Sequence, residues 1–407
     1  MKRKTLVALS TVISATFLAG CQTTQDKGVN YYNGAHLIPQ NLRTRPNDET
    51  IDHFQSSITR NHIFRPSARH IKSETNPRVI ESDNLSSSEL MSAMADSSAL
   101  SYLFYDNGKV IYNITAPQER FRTKINDKTY FNSYSMAKSF VSYLVGASIC
   151  RGYIQSVDEQ IDWDFLDNTI YDKQPLINLL NMRAGDYSVI ASYSSEMKNS
   201  GKPFSNLYGL EEIKDEISNV PVGKRKYSYS NLATDIVFNY VKFKAGSEYD
   251  KLLQDVVNKA GLENTLHIRR PWHASLKSDT GEHATILLTR YDYLRLAIMM
   301  LEDWQNDTCE GRYLKSIYQS REPKDFKNHH NWSNVLQAQA LGTKYGGYFT
   351  TDFKGLSGNT ILGMHGHGGQ VIMIDMNQSR IVVVNAATEH YDIKTLIYKP
   401  LKYGRVK

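Results

Sequence analysis

A serine and a lysine stand three residues apart in the segment FNSYSMAKSF, residues 131–140. If a helix begins near Ser135, this spacing puts Ser135 and Lys138 on one face, and the helix dipole favours developing negative charge at the serine. A partly desolvated lysine can lose its proton and accept one from the serine hydroxyl. Such a pair can supply a serine nucleophile with a lysine base. On this motif alone, an N-cap serine beside a solvated lysine is the better interpretation.

A second polar cluster, KYSYSN, directly precedes another helical run and contains Tyr229 and Asn231. A tyrosine within reach of a serine–lysine pair can share the proton relay, and an asparagine can hold both the lysine and a substrate amide. Beside such a pair, Tyr229 would be catalytic and Asn231 would bind substrate. The alternative is a surface turn in which Asn231 is a helix N-cap.

The third element is GMHGHGGQVIMID, in which four glycines occur between residues 363 and 369 and a strand pattern follows. Glycines allow close backbone approach, so this edge can present an amide as half of an oxyanion hole, the other half being the N–H of Ser135. His365 and His367 could instead suggest a metal site. No acidic or cysteine partner stands at a recognisable spacing, so we predict neither a metal nor a cofactor.

In this order, the motifs SMAK (135–138), YSN (229–231) and the glycine-rich element resemble those of the serine β-lactamase and penicillin-binding-protein superfamily. The Tyr-x-Asn motif is similar to that of class C β-lactamases and their esterase and carboxypeptidase relatives. The sequence HGGQVIMIDMNQSRIVVVN is similar to the aminohexanoate-dimer hydrolase branch. The resemblance covers roughly residues 100–385. It implies a serine hydrolase that acts through an acyl-enzyme on ester or amide bonds of small or peptide-like substrates.

The third motif departs from the Lys-Thr-Gly of the lactamases. The chain offers Met364-His365-Gly366 or, in a shifted register, the HGG of residues 367–369. The first register, which we favour, places His365 and Gly366 at the substrate and makes the amide of His367 the second oxyanion donor. Either register lacks the lysine that helps to hold a substrate carboxylate, which argues against strong β-lactam hydrolysis and classical transpeptidation. A histidine could supply a hydrogen bond or, at lower pH, a charge.

Two other readings of the chain do not involve catalysis. A non-catalytic envelope lipoprotein could use the same fold for binding or sensing, although the intact Ser-Lys-Tyr set argues against this. A purely structural envelope-anchoring protein is supported only by the N-terminal segment and the polar stretch after it.

Strand patterns occur towards both ends of the chain, and helical patterns fill the middle. Asn107-Gly108 lies between two apolar runs, which is a strong hairpin signal, and strand patterns return after Lys344. Strands from both ends must meet in one sheet to bury their faces. We predict an α+β, β-lactamase/transpeptidase-like fold with an antiparallel sheet formed from both chain ends and flanked by helices. A mostly helical insertion would span about residues 150–300.

The N-terminal segment MKRKTLVALSTVISATFLAGC has a basic start and an apolar stretch too short to span a membrane, as is typical of a cleaved export signal. Its end resembles the lipobox of bacterial lipoproteins, which implies cleavage before Cys21 and lipidation of that cysteine, including palmitate. An ordinary secretory signal with a chance cysteine is the alternative. Gln22 favours sorting to the outer membrane. We predict a signal peptide at 1–20, a tether and irregular lead-in at 21–95, and a hydrolase domain at 96–407, lipid-anchored on the periplasmic face of the outer membrane.

The composition is that of a globular protein, with 41% hydrophobic and 22% charged residues. Three of the six net positive charges are accounted for by Lys2, Arg3 and Lys4, so the charge does not predict nucleic-acid binding. An exported protein could join Cys150 and Cys309 in a disulfide. A buried free thiol at Cys150 is the alternative.

Overall fold

The computed structural model describes residues 68–95, 97–118, 124–189, 214–269, 281–324, 341–387, 389 and 391–406. The fold is α+β, with antiparallel sheets and packed helices, as the sequence predicted. The signal segment and Cys21 lie outside the described residues. None of the helices among the described residues is long and apolar enough to cross a membrane.

The strands are short, as in most globular domains. They are β1 (Arg69–Ile71), β2 (Glu81–Ser82), β3 (Ala99–Asp106), β4 (Lys109–Thr115), β5 (Tyr130–Asn132), β6 (Leu266–Ile268), β7 (Ile286–Thr289), β8 (Glu322–Pro323), β9 (Gly342–Gly346), β10 (Phe349–Phe353), β11 (Ile361–Gly366), β12 (Gln370–Asp375) and β13 (Arg380–Ala386).

The helices are concentrated between β5 and β8. They are α1 (Ser88–Ala95), α2 (Ala137–Cys150), α3 (Leu176–Leu180), α4 (Lys214–Ile217), α5 (Asn231–Ala245), α6 (Tyr249–Ala260), α7 (Arg290–Gln305), α8 (Cys309–Gln319) and α9 (Lys399–Tyr403), with 3-10 turns at Tyr134–Met136, Asp164–Leu166 and Gly246–Glu248 and a π-helical segment at Lys394–Tyr398.

Strands from the two ends of the chain form one nine-stranded sheet in the order β2-β4-β3-β13-β12-β11-β10-β9-β8. The central pairing of β3 with β13 joins an early strand to a late one, with Phe104 opposite Val382. All pairs are antiparallel except β2 with β4. This arrangement confirms the predicted sheet built from both chain ends.

The two faces of this sheet are covered differently. One face, which we call the inner face, packs against the helical middle of the chain through residues such as Leu362 and Ile372. The opposite, outer face carries Met373 and Val382. It is covered by α1, the π-helical segment and α9. Strand alternation sends successive side chains to opposite faces, so β11, β12 and β13 are apolar on both.

A second, four-stranded antiparallel sheet has the order β1-β6-β7-β5. Its strand β5 leads directly into the 3-10 turn Tyr134–Met136 and then into α2. The sequence did not predict this sheet, because strands of three or four residues carry too little periodicity. Residues 68–95, predicted as part of an irregular lead-in, contribute β1, β2 and α1. The domain boundary at residue 96 stays a prediction.

The hairpin predicted at Asn107-Gly108 is confirmed, since β3 and β4 pair across it. Both residues adopt positive φ, 47° and 96°, as the favoured two-residue hairpin turns require. Cys150, at the end of α2, and Cys309, at the start of α8, form a disulfide. The structure therefore contradicts the alternative of a free thiol at Cys150.

Candidate active site

Ser135 lies in the 3-10 turn between β5 and α2, and the residues before it are held from two sides. Tyr134 has a left-handed φ of 45°, and its N–H donates to Asn132 Oδ1 at 2.9 Å. The amide of Ser133 donates to the Ile286 carbonyl, and the Ser133 hydroxyl accepts from the Ile286 amide, each at 2.9 Å. The turn that presents Ser135 is thus fixed to the small sheet, and Ser135 itself is half-buried.

Lys138 lies one turn further along the chain, with its Nζ 3.3 Å from Ser135 Oγ. The lysine is only 3% exposed, so it is not the solvated lysine of the alternative reading. Regular helix begins at Ala137, and neither the turn nor α2 has a side-chain N-cap hydrogen bond. The geometry therefore matches a serine–lysine pair rather than a capped surface helix.

The second motif reaches the same lysine from the start of α5. Lys138 Nζ donates to Asn231 Oδ1 at 2.6 Å and lies 4.8 Å from the centre of the Tyr229 ring, within range of a cation–π contact. The N-cap of α5 is Ser230, whose hydroxyl accepts from the Ala233 amide at 3.0 Å. Asn231 is therefore not the cap, and its side chain is left to hold Lys138.

The third motif meets the nucleophile turn at Gly366, the last residue of β11. A Cβ at this position would overlap the carbonyl oxygen of Ser133, so only glycine permits the contact. This position of Gly366 agrees with the Met364-His365-Gly366 register. His367 follows directly, and its ring centre is 5.6 Å from that of Tyr134. The amides of Ser135 and His367 stay our predicted oxyanion donors.

His365 lies on the face of the sheet opposite to the other residues of its motif. Its partner across the ladder is Val371, which belongs to the outer-face cluster, whereas Met364 packs on the inner face. The His365 ring contacts the Phe353 ring, with 5.8 Å between centres. The prediction that the His365 side chain binds substrate is thus not supported by its placement. Successive side chains of a strand point to opposite faces, so His365 cannot face the same side of the sheet as its neighbour Met364.

The environment of His365 also decides its charge. The side chain is 8% exposed, and neither ring nitrogen has a hydrogen-bond partner among the described residues. Burial lowers the pKa of His365 to about 3, and nearby Lys324 acts in the same direction. A charge at lower pH, which either histidine could supply, is therefore not favoured for His365, because a buried imidazole without a carboxylate partner stays neutral. For His367 it stays a prediction.

A buried shell lies behind the motifs, and its acidic member Asp186 was not identified from the sequence. The hydroxyl of Ser139 donates to the Tyr348 carbonyl at 2.7 Å, and Tyr345 packs edge-on against Tyr227. Asp186, in the segment after α3, accepts a hydrogen bond from the Tyr171 hydroxyl at 2.7 Å. The only signal for Asp186 was an acidic residue beside a glycine at the end of the apolar segment LLNMRAGD.

No protein-family model and no curated protein sequence matches the chain, so the comparison rests on solved structures. A D-stereospecific amidohydrolase from Streptomyces sp. superposes with a TM-score of 0.54 at 14% identity, over 79% of this chain and all of its own. A Bacillus anthracis protein assigned as a 6-aminohexanoate-dimer hydrolase gives 0.53 at 14% identity, over 80% and 86%.

A third solved structure, the D-amino acid amidase from Ochrobactrum anthropi, gives a TM-score of 0.52 at 15% identity, over 75% of this chain and 91% of its own. Identities this low establish the fold and not the activity. The chain has the β-lactamase/transpeptidase fold, as the order of its three motifs predicted.

Proposed function

We propose that the protein is a serine hydrolase that cleaves ester or amide bonds of small or peptide-like substrates through an acyl-enzyme on Ser135. The environment of Lys138 carries the proposal. Buried lysines in structural roles are normally paired with carboxylates. Among the described residues, Lys138 has no carboxylate partner and instead contacts the Ser135 hydroxyl, the Asn231 amide oxygen and the Tyr229 ring. These are contacts expected of a base that exchanges a proton with the serine.

The mechanism follows from these contacts. Ser135 Oγ forms a bond to the substrate carbonyl carbon while its proton passes to Lys138, with Tyr229 in the relay. The amides of Ser135 and His367 stabilise the oxyanion. When the tetrahedral intermediate collapses, the bond to the leaving group breaks and Tyr229 returns the proton to that group. Water then attacks the acyl-enzyme by the same relay and releases the acid.

The third motif supports a substrate without a carboxylate at this position. Met364, at the place of the lactamase lysine, is buried and apolar, and His365 is neutral and faces the outer side of the sheet. A neutral ester or amide is therefore favoured over a β-lactam carboxylate. The structurally similar proteins from Streptomyces sp. and Ochrobactrum anthropi are described as an amidohydrolase and an amidase, which supports amides as one substrate class.

Labelling with a fluorophosphonate probe tests the proposal. We expect the wild-type protein to be labelled and Ser135→Ala to lose about 10³-fold or more in labelling rate, since the nucleophile is absent. Ser139→Ala is the matched control: this buried serine lies one turn further along the chain, in α2, and among the described residues its hydroxyl donates to the Tyr348 carbonyl. It should retain labelling.

Equal labelling of Ser135→Ala and wild type would contradict the nucleophile assignment. A wild-type protein that is neither labelled nor able to turn over any of a panel of neutral esters and amides would favour the non-catalytic binding role instead.

A further inference from the structure

Asp186 is a buried carboxylate next to the second motif that the mechanism above does not use. It is 1% exposed. Its Oδ2 accepts from the Tyr171 hydroxyl at 2.7 Å, whereas its Oδ1 is buried without a hydrogen-bond partner among the described residues. No cation among the residues that the structure describes pairs with Asp186. A buried carboxylate without a cation destabilises the folded state. Its presence here therefore points to a role in function.

The segment that carries Asp186 is joined to the second motif at several points. The amide of Ser228 donates to the Met182 carbonyl at 2.7 Å, and the amide of Ser230 lies 3.3 Å from the Met182 sulfur. Gly185 has a φ of 78°, and its carbonyl accepts from the Gly223 amide at 2.9 Å. Residues 182–186 are therefore tied by hydrogen bonds to the second motif and to the segment before it, and we call them the support of this motif.

Ser230 is the direct link between this support and the catalytic groups. Its hydroxyl oxygen accepts from the Ala233 amide at 3.0 Å, so its proton is available to another acceptor. The residues on either side of Ser230 are Tyr229 and Asn231, which both contact Lys138. A displacement of Ser230 would move these two contacts together.

We propose that Asp186 is a positioning residue whose buried carboxylate, through Ser230 and Tyr171, holds Tyr229 and Asn231 against Lys138. The inference rests on the proposed hydrolase function, because it assigns a role in that same site.

The ionisation of Asp186 gives this role a pH dependence. Burial raises the pKa of Asp186 to about 6, against the opposing hydrogen bonds from Tyr171 and Ser230. Tyr171 faces the carboxylate from the loop before α3, Ser230 from the start of α5, and Tyr348 from the turn between β9 and β10. The ionised carboxylate accepts from the Tyr171 hydroxyl, and the Ser230 hydroxyl favours the same ionised form. The protonated carboxyl group carries a donor of its own and has less capacity to accept. It therefore holds the Ser230 hydroxyl less firmly.

The same shift predicts the sign of the effect on stability. The folded-state pKa lies above the ordinary carboxyl value of about 4, so the folded protein favours the protonated form. Stability from this group is present at low pH and is lost as the pH rises through about 6. An Asp186 retained only for stability would be better replaced by a neutral residue. A positioning role explains a charge that destabilises the fold.

The test compares Asp186→Asn with wild type in thermal unfolding and in fluorophosphonate labelling across a pH range. We expect Asp186→Asn to unfold at the same or a higher temperature at about pH 8, since the buried charge is gone. Its labelling rate should fall about tenfold, and the loss of rate that we expect of wild type below about pH 6 should be absent. Tyr171→Phe, which keeps the carboxyl, should show a smaller loss of rate.

Asp303→Asn is the matched control. Asp303 is also buried, but it pairs with Lys259 at 2.7 Å and accepts from the Tyr143 hydroxyl. This variant should unfold at a lower temperature and keep the wild-type pH profile of labelling.

Two results would overturn the inference. The first is labelling of Asp186→Asn at the wild-type rate with the wild-type pH profile. The second is a loss of unfolding temperature as large as that of Asp303→Asn, which would mark Asp186 as merely structural. A failure of the hydrolase proposal is distinguishable, because it would be seen as absent labelling of the wild-type protein itself.

Discussion

At the scale of single residues, Gly366 connects the third motif to the turn that presents Ser135. The two backbones touch where Gly366 faces the Ser133 carbonyl, two residues before Ser135. This contact sets the distance between the strand end, with His367 beyond it, and the turn that presents the serine. A side chain at Gly366 would separate them, and a displacement of about an ångström at a reacting centre can cost roughly a hundredfold in rate.

We therefore predict that Gly366→Ala reduces fluorophosphonate labelling about 10²-fold and lowers the free energy of unfolding by about 1–3 kcal/mol through overpacking. Labelling kinetics and chemical denaturation measure the two effects. Gly358→Ala is the control, because that glycine has a φ of 91° but open space around it. It should lose about 1 kcal/mol of stability through strain and keep its labelling rate. Normal labelling of Gly366→Ala would contradict the proposed contact.

The meeting of the candidate catalytic residues was predictable because their types and spacing encode their partners. Ser135 and Lys138 stand at i and i+3, which places them on one helical face. Tyr229 and Asn231 were expected beside them because the three motifs occur in the same order as in the family that the sequence resembles. The face of His365 was not predictable, because it depends on the register of β11. Strand β11 itself was missed, since its glycines weaken the strand pattern. Asp186 was missed because a single acidic residue carries no periodicity.

At the scale of elements, α2 is the central helix of the domain, and its residues Ala137 to Ser148 are all buried. Its residues Phe140, Tyr143, Leu144 and Ala147 stand at helical spacing, so the sequence predicts this helix. Helix α8 was not predicted, although it packs against both α2 and α7. The disulfide between Cys150 and Cys309 joins α2 to α8. The sequence allowed this disulfide but could not predict it, because the pairing depends on how two helices that are distant in sequence pack together.

Removing the disulfide should affect stability more than chemistry. The bond closes a loop with a sequence separation of 159 residues, and loss of such a cross-link costs roughly 2–5 kcal/mol. Ser135 precedes the opposite end of the 14-residue helix, about 20 Å away at 1.5 Å per residue. We expect Cys150→Ala/Cys309→Ala to unfold at a lower temperature and to keep its labelling rate at room temperature.

Reduction provides the control for this variant. A thiol reductant should lower the unfolding temperature of wild type to that of the double variant and leave the double variant unchanged. An equal effect of reductant on both proteins would contradict a stabilising disulfide.

At the scale of the whole molecule, the fold separates its two faces by role. The inner face of the large sheet meets the helical middle of the chain, where the three motifs lie, whereas the outer face is closed by α1 and the C-terminal helical segments. The pairing of β3 with β13 was predictable, since strand patterns at both ends of a chain must share a sheet. The four-stranded sheet that supports the nucleophile turn was not, because its strands come from three separate regions of the chain.

We propose that the whole protein is exported and lipid-anchored through Cys21. The lipobox-like sequence before Cys21 motivates the proposal, and the Cys150–Cys309 disulfide fits an oxidising compartment. Several acyl chains on one residue anchor a protein stably, which a single chain does not. We therefore expect the full chain, expressed in a bacterial host fed a clickable palmitate analogue, to carry the label and to sediment with the membranes.

Cys21→Ser should lose both the palmitate label and the membrane fraction, because the lipidated side chain is absent. The variant Cys150→Ala/Cys309→Ala keeps Cys21 and should be labelled as wild type, which shows that the label is not on the other cysteines. An ordinary secretory signal makes the opposite prediction. In that case wild type would be cleaved, unlabelled and recovered in the soluble periplasmic fraction, and Cys21→Ser would not differ from it.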